Sequence, residues 1–365
     1  MTIEFIGLVG NQDGSEAYAS SGPVVNPAHV ALAGLVHETG AFDRVLIGYS
    51  SFSPDGIQLA NYLAHETEGL SPLIAHRPGF TAPTLAARSF ATLDQLSAGR
   101  IAINIITGGN DTEQQRDGDF LGHDERYART DEYLTVLKQV WHSDQPFDHH
   151  GEHYHVEGGF SEVKPVNGHI PIYFSGSSDA AIRVAAKHAD VYMLWGEPVA
   201  QVAEVVQRVK AAAAQAGRAG QIRFSLSLRP VLADTEAAAW ARADDILARA
   251  TALRGKSAWT RFRPPGAPQN VGSQRLLAVA NEGRVLDKRL WTEIAKLSGA
   301  GGNSTGLVGT PEQVAESLLD YHAVGIDAFL VRGFDPLRDA VQYGRELIPL
   351  TRRLAAQRFP LEQAA

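Results

Sequence analysis

The chain has 365 residues, 44% of them hydrophobic and 20% charged, with a formal net charge of −8 and no cysteine. That length supports a large core, and the acidic balance argues against a general nucleic-acid binder. The lack of cysteine excludes disulfides, zinc–thiolate centres, iron–sulfur clusters and a thiol nucleophile. The N-terminal "MTIEFIGLVG" has neither the basic start nor the long apolar stretch of a signal peptide, and no uninterrupted apolar run reaches membrane-spanning length. A soluble, cytoplasmic protein is therefore expected.

Eight β-like runs follow one another along the chain, over residues 3–9, 44–49, 70–76, 100–107, 170–176, 190–196, 222–233 and 327–333. Several are apolar on nearly every residue, which suits strands covered on both faces rather than a half-exposed sheet. Helical segments separate them. "PAHVALAGLVHETG", "SPDGIQLANYLAHETEG" and "TAPTLAARSFATLDQLSAG" each finish in glycine, with Gly40 a candidate C-cap. "TPEQVAESLLDYHAVG" opens with Thr310 as N-cap, Pro311 at the first helical position and Gln313 placed for a capping box. Strand–helix alternation through eight strands predicts an α/β fold, a (β/α)8 TIM barrel in one domain spanning 1–365. Two connections, residues 108–169 and 234–326, carry more than one helix needs and are expected as insertions at the carboxyl-terminal face.

Within this frame a few stretches carry chemistry. "YFSGSSDAA" places Gly176, Ser177 and Ser178 where the fifth strand gives way to a helix. Amides at a helix start favour an anion, and Gly176 permits close backbone approach. Helix capping by the serines is the competing reading. In "RIAINIITGGND", Asn104 and Thr107 sit among apolar residues and must find partners, either loop backbone or a polar heterocycle.

"FLGHDERY" gathers His123, Glu125 and Tyr127 at the start of a long helix, where a solvated helix entrance is sufficient explanation. The histidines of "DHHGEHYH" fit a turn between two extended pieces better than a metal site, and no metal is expected. From Ile246 to Asn281 the chain has Arg249, Arg254, Lys256, Arg261, Arg263 and Arg275 but no acidic residue. Such a stretch reads either as a solvated or oligomer-facing surface or as a mobile lid near 249–275 that closes on an anion.

Taken together, "RPGFTAPTLAARSFATLDQLSAGRIAINIITG", "FLGHDERY", "YFSGSSDAA", "LWGEP", "NVGSQRL" and "GLVG" resemble the bacterial luciferase-like flavin monooxygenases. The similarity is nearest to the reduced-FMN-dependent alkanesulfonate monooxygenases and runs from Phe5 to about Leu350. It implies that reduced FMN (FMNH2) places its phosphate at Gly176, Ser177 and Ser178, with Tyr127 assisting. Asn104 and Thr107 would meet the isoalloxazine edge, Tyr49 and Trp195 would wall the ring, and His123 is a further cofactor candidate.

The implied chemistry is oxygen activation as a flavin C4a-(hydro)peroxide and oxygenation of a small organosulfur anion. An alkanesulfonate would give sulfite and an aldehyde. The implied partners are O2, a separate NAD(P)H:FMN reductase and further copies of the chain in a dimer or tetramer, with no nucleic acid or membrane. The substrate end departs from that family. Ser53 replaces a cysteine, Arg229 in Ser227-Leu228-Arg229 replaces a histidine, Ala300 replaces an arginine and Phe334 a tyrosine. Arg229 and Arg332 are the expected catalytic, anion-gripping pair, with a structural ion pair at the barrel rim as the competing reading and a neutral sulfone as the competing substrate. Ser53, Arg261, Arg263 and Phe334 are expected around the substrate. A deazaflavin (F420-type) oxidoreductase and a non-catalytic flavin-binding protein are the alternatives.

Overall fold

Eight parallel strands close into a barrel surrounded by helices. They are β1 (Glu4–Leu8), β2 (Arg44–Ile47), β3 (Ser71–His76), β4 (Ala102–Ile106), β7 (Ile172–Ser175), β8 (Val191–Trp195), β9 (Arg223–Leu232) and β13 (Ala328–Val331). Each lies inside one of the eight apolar runs read from the sequence. The computed structural model describes residues 3–254, 256 and 268–360. Strand β3 is buried on five of six residues and β9 on nine of ten, as expected of strands covered on both faces.

The first long connection contains the helix His123–His142 and an antiparallel hairpin of β5 (Phe147–His150) and β6 (His155–Gly159). The histidine-rich "DHHGEHYH" therefore covers the end of β5, the turn and the first residue of β6. The second contains the helices Glu236–Leu253, Val271–Glu282 and Glu293–Ser298, then β10 (Val285–Leu286), β11 (Leu290–Trp291) and β12 (Gly306–Gly309). Strand β9 uses Ser225–Leu228 to pair with β13 and Arg229–Leu232 to pair with β12. Arg229 is thus the first residue beyond the barrel ladder. Gly306, opposite it, has no room for a side chain, since a Cβ would stand 2.6 Å from the Arg229 carbonyl oxygen.

Helix ends follow local chemistry. Thr310 and Gln313 form the expected capping box ahead of Pro311–Ala323. Asn26 and Asp55 cap Pro27–Thr39 and Gly56–Glu66 through side-chain oxygens. Gly40 caps the first of these, but the second stops at Thr67 and Pro83–Leu96 at Ser97, short of the glycines.

The residues divide into two compact units. One comprises residues 1–45, 193–208 and 223–365, and the other residues 46–192 and 209–222. The first has a core around Trp291, Phe334, Val231 and Ile246. In the second, Trp141 donates to the Ala87 carbonyl and His76 meets the Tyr133 hydroxyl at 2.6 Å. Among the described residues, no helix is long and apolar enough to cross a membrane.

Candidate active site

In residues 46–192, the chain leaves β7 through Gly176, Ser177 and Ser178 into the ten-residue helix Asp179–His188. Gly176 has φ +149°, and a Cβ there would meet Ala181 Cβ at 2.6 Å and the Tyr127 hydroxyl at 2.8 Å. Only glycine fits this bend without strain. The Tyr192 hydroxyl donates to the Gly176 carbonyl and fixes the bend from below.

Ser178 is the N-cap, its Oγ accepting from the Ala181 amide at 3.2 Å. The capping reading therefore holds for Ser178, while Ser177 stays half-exposed at the helix mouth. Tyr127 is hydrogen-bonded with Ser178, and burial raises the pKa of its hydroxyl so that it remains a neutral donor. His123 packs edge-on to the Tyr127 ring and holds Asp124 through Nδ1 at 2.7 Å. Glu125 accepts from the Gly122 amide and completes the helix start.

Asn104 and Thr107 are buried and partnered. Ser175 donates to the Asn104 carbonyl oxygen at 3.2 Å. The Thr107 hydroxyl meets Thr130 at 3.3 Å, and Thr130 itself donates to the Arg126 carbonyl. Tyr49 donates to Asp117 at 3.0 Å, and Arg77 lies 4.5 Å over its ring. Burial, then the Asp117 hydrogen bond, push the Tyr49 phenol up to about 12. Arg77 also pairs with Glu113 at 3.1 Å. Glu113 and Asp117 were not singled out from the sequence, where they lie in an unremarked polar stretch. Ser53 exchanges hydrogen bonds with the Ser50 backbone, so its hydroxyl closes a local turn.

In residues 1–45, 193–208 and 223–365 a second constellation forms. Arg229 is fully buried beyond the barrel end of β9. It holds both oxygens of Glu16, from the loop after β1, and donates to the Gly333 carbonyl at 2.9 Å. The Phe334 ring covers it at 3.5 Å and is itself buried in the Trp291 core. Neither Arg229 nor Phe334 has surface left for a substrate.

Arg332, directly after β13, shares Glu16 through Nη2 at 3.0 Å and keeps 26% of its side chain exposed. Partial burial pushes the Glu16 carboxyl up, but Arg229 and Arg332 together hold it well below the usual carboxylate range. Glu16 was missed by sequence reasoning. Its only signal is an acidic residue in a long loop behind the first strand.

Trp195 ends β8 and packs against the cluster of Leu276, Ala280, Ala295 and Ala300. The basic stretch from Ile246 to Asn281 is less free than its composition suggests. Arg249 lies on the helix Glu236–Leu253 paired with Asp245, and Arg275 grips buried Glu197 through three contacts of 2.7 to 3.2 Å. Arg261 and Arg263 lie outside the described residues.

A family model for luciferase-like monooxygenases matches residues 4–328. The chain belongs to the luciferase-like monooxygenase family. This is a flavin-binding family, and the fold agrees with solved structures of low sequence identity. Riboflavin lyase with modified FMN and riboflavin shares 18% identity at TM-score 0.81, covering 97% of this chain and 92% of the other. EDTA monooxygenase from Chelativorans sp. BNC1 shares 19% at TM-score 0.79, covering 100% and 96%. An F420-dependent secondary alcohol dehydrogenase shares 16% at TM-score 0.70, covering 96% and 99%.

The Gly176–Ser178 bend fits the phosphate of such a group. It offers a cradle that a Cβ would fill, half-buried serines, a neutral tyrosine hydroxyl and the amide end of a ten-residue helix.

Proposed function

We propose that this luciferase-like family member is the oxygenase of a two-component system. It binds reduced FMN supplied by a separate NAD(P)H:FMN reductase and oxygenates a small organosulfur anion. The carrying observation is the glycine-lined bend at the helix Asp179–His188, with Tyr127 and Ser177 beside it. When bound, the dihydroflavin supplies the reducing power that activates O2. The chain's own residues hold and orient. Ser177, Ser178, Tyr127 and the helix amides would take the phosphate, Asn104 and Thr107 would border the ring, and Tyr49, with Arg77 over its ring, would wall it. Arg332 would receive the substrate's anionic end as a charge-assisted hydrogen-bond donor.

The alkanesulfonate version is stoichiometrically complete. RCH2SO3−, O2 and FMNH2 give an aldehyde, sulfite, FMN, water and one proton, with the C–S bond broken and one oxygen atom delivered to carbon. The test is sulfite release with reduced FMN, O2 and a panel of alkanesulfonates. No sulfite from any member removes the sulfonate but leaves the flavin assignment standing.

The likeness to an F420-dependent dehydrogenase supports a second reading, hydride transfer on a non-sulfonate substrate. Anaerobic turnover with that deazaflavin, together with no O2 consumption with FMN, would select it.

A further inference from the structure

The loop after β1 and the carboxyl ends of β9 and β13 bring three charges together. Glu16 takes Arg229 on both of its oxygens and shares one of them with Arg332 at 3.0 Å. Arg229 is fully buried, capped by the Phe334 ring and tied to the Gly333 carbonyl. Arg332 is about a quarter exposed. A guanidinium carries five N–H donors, and the bond to Glu16 uses one of them.

The gap between two guanidiniums is where a single anionic headgroup would be held by both. Here the protein's own carboxylate fills that gap. Two cations and one anion leave one positive charge, and the only one of the two guanidiniums with accessible surface is Arg332.

We propose that Glu16 sets the charge class of the substrate. It occupies the position between Arg229 and Arg332 and leaves Arg332 alone to receive a monoanionic headgroup. Arg229 is then a positioning residue that acts through Glu16, and Arg332 is the group that touches substrate. This inference rests on the reduced-FMN monooxygenase reading and adds the basis of its substrate selection. A dianion would bring a second negative charge to a site with one net positive charge. A neutral sulfone would leave the Arg332 charge uncompensated.

The experiment measures binding to the full-length protein loaded with reduced FMN under anaerobic conditions. The probes are ethanesulfonate, 1,2-ethanedisulfonate and ethyl methyl sulfone. Wild type is expected to bind ethanesulfonate at least ten-fold more tightly than either other probe. Glu16→Gln should move the ratio of dissociation constants toward the disulfonate by ten-fold or more with the reduced-FMN Kd unchanged, and a separate aerobic turnover assay should show the change in KM rather than kcat.

Because Glu16→Gln leaves a buried guanidinium unpaired, the double variant Glu16→Gln with Arg229→Met provides the control. It removes one charge of each sign and should restore preference for the monoanion. Arg332→Met should abolish ethanesulfonate binding while sparing flavin binding.

An unchanged probe ratio in Glu16→Gln, or ethanesulfonate binding that survives Arg332→Met, overturns the proposal. Wild type that binds reduced FMN and oxygenates only the sulfone also overturns it, while the monooxygenase reading survives. Wild type that binds no reduced FMN removes the underlying reading, and the proposal with it.

Discussion

Replacing the two serines of the helix entrance one at a time separates binding from stability. Ser178 caps the helix Asp179–His188 through the Ala181 amide, whereas Ser177 is half-exposed and is not the capping residue. Ser178→Ala should therefore cost about 1 kcal/mol of stability, the usual effect of removing a serine N-cap. Ser177→Ala should leave the unfolding midpoint unchanged. Toward the phosphate the two are alike, because each loses a hydroxyl donor to a doubly charged group. A hydrogen bond to a charged partner contributes roughly 1.5–3 kcal/mol, so each variant should bind FMN about 10- to 150-fold more weakly.

The assay is titration followed by tryptophan fluorescence, with reduced FMN under anaerobic conditions and with oxidised FMN in air. Riboflavin, which lacks the phosphate, provides the control, and its affinity should be the same in wild type and both variants. FMN titrations that match wild type in both variants would refute the phosphate assignment. A loss of riboflavin affinity equal to that of FMN would show that the bend supports the ring and not the phosphate.

Other expectations follow from close contacts and buried charges. Gly176→Ala should weaken FMN binding and lower stability together, because the new Cβ meets Ala181 at 2.6 Å in a backbone conformation that L-residues rarely adopt; binding and unfolding measured side by side check this. Gly306→Ala should destabilise without touching flavin affinity, since its Cβ would stand 2.6 Å from the Arg229 carbonyl oxygen, and denaturant unfolding reads the effect. Arg275→Ala should cost about 3–5 kcal/mol by stranding the Glu197 carboxylate, with Arg275→Lys recovering part of the loss.

The acid side of the stability profile should be set in part by His37 and His76. Burial lowers both to about 4 from 6.5. As pH falls below 6.5 the unfolded chain binds protons that the folded one refuses, so stability is lost progressively down to about pH 4. Each histidine contributes on the order of 2 kcal/mol of that loss by pH 5. An unfolding free energy flat between pH 7 and pH 5 would contradict their buried, neutral state.

The barrel was legible because its signals are local and repeated. A strand covered on both faces must be apolar throughout, and each of the eight runs does contain its barrel strand. Thr310, Pro311 and Gln313 announce a helix start within four residues because capping is settled by neighbours in sequence. The Gly-Ser-Ser bend was readable for the same reason, since Gly176, Ser178 and Ala181 interact within six residues. The glycines after Gly56–Glu66 and Pro83–Leu96 misplaced the helix ends because a glycine downstream permits a stop without forcing one.

The substrate end was legible in residue type but not in charge state, and the reason is distance along the chain. Arg229 and Arg332 are visible as cations after their strands, and sequence leaves open whether they await an anion or sit in a structural ion pair, because it does not show the partner. Their counter-ion is Glu16, 213 residues before Arg229 and 316 before Arg332. No spacing or periodicity links residues so far apart; only the pairing of β1 with β13, and of β13 with β9, brings the loop after β1 to them.

The same holds for Arg275, read as part of a free basic stretch yet held by Glu197, 78 residues away. Counting cations in a segment therefore overstates the positive charge a ligand meets whenever the fold supplies carboxylates from elsewhere. Desolvation makes that supply nearly obligatory for a guanidinium as buried as Arg229, because an unpaired charge there would cost several kcal/mol. Arg332, about a quarter exposed, is under a weaker demand. For that reason the partly exposed arginine of the triad, rather than the fully buried one, is where an incoming anion can be read as substrate.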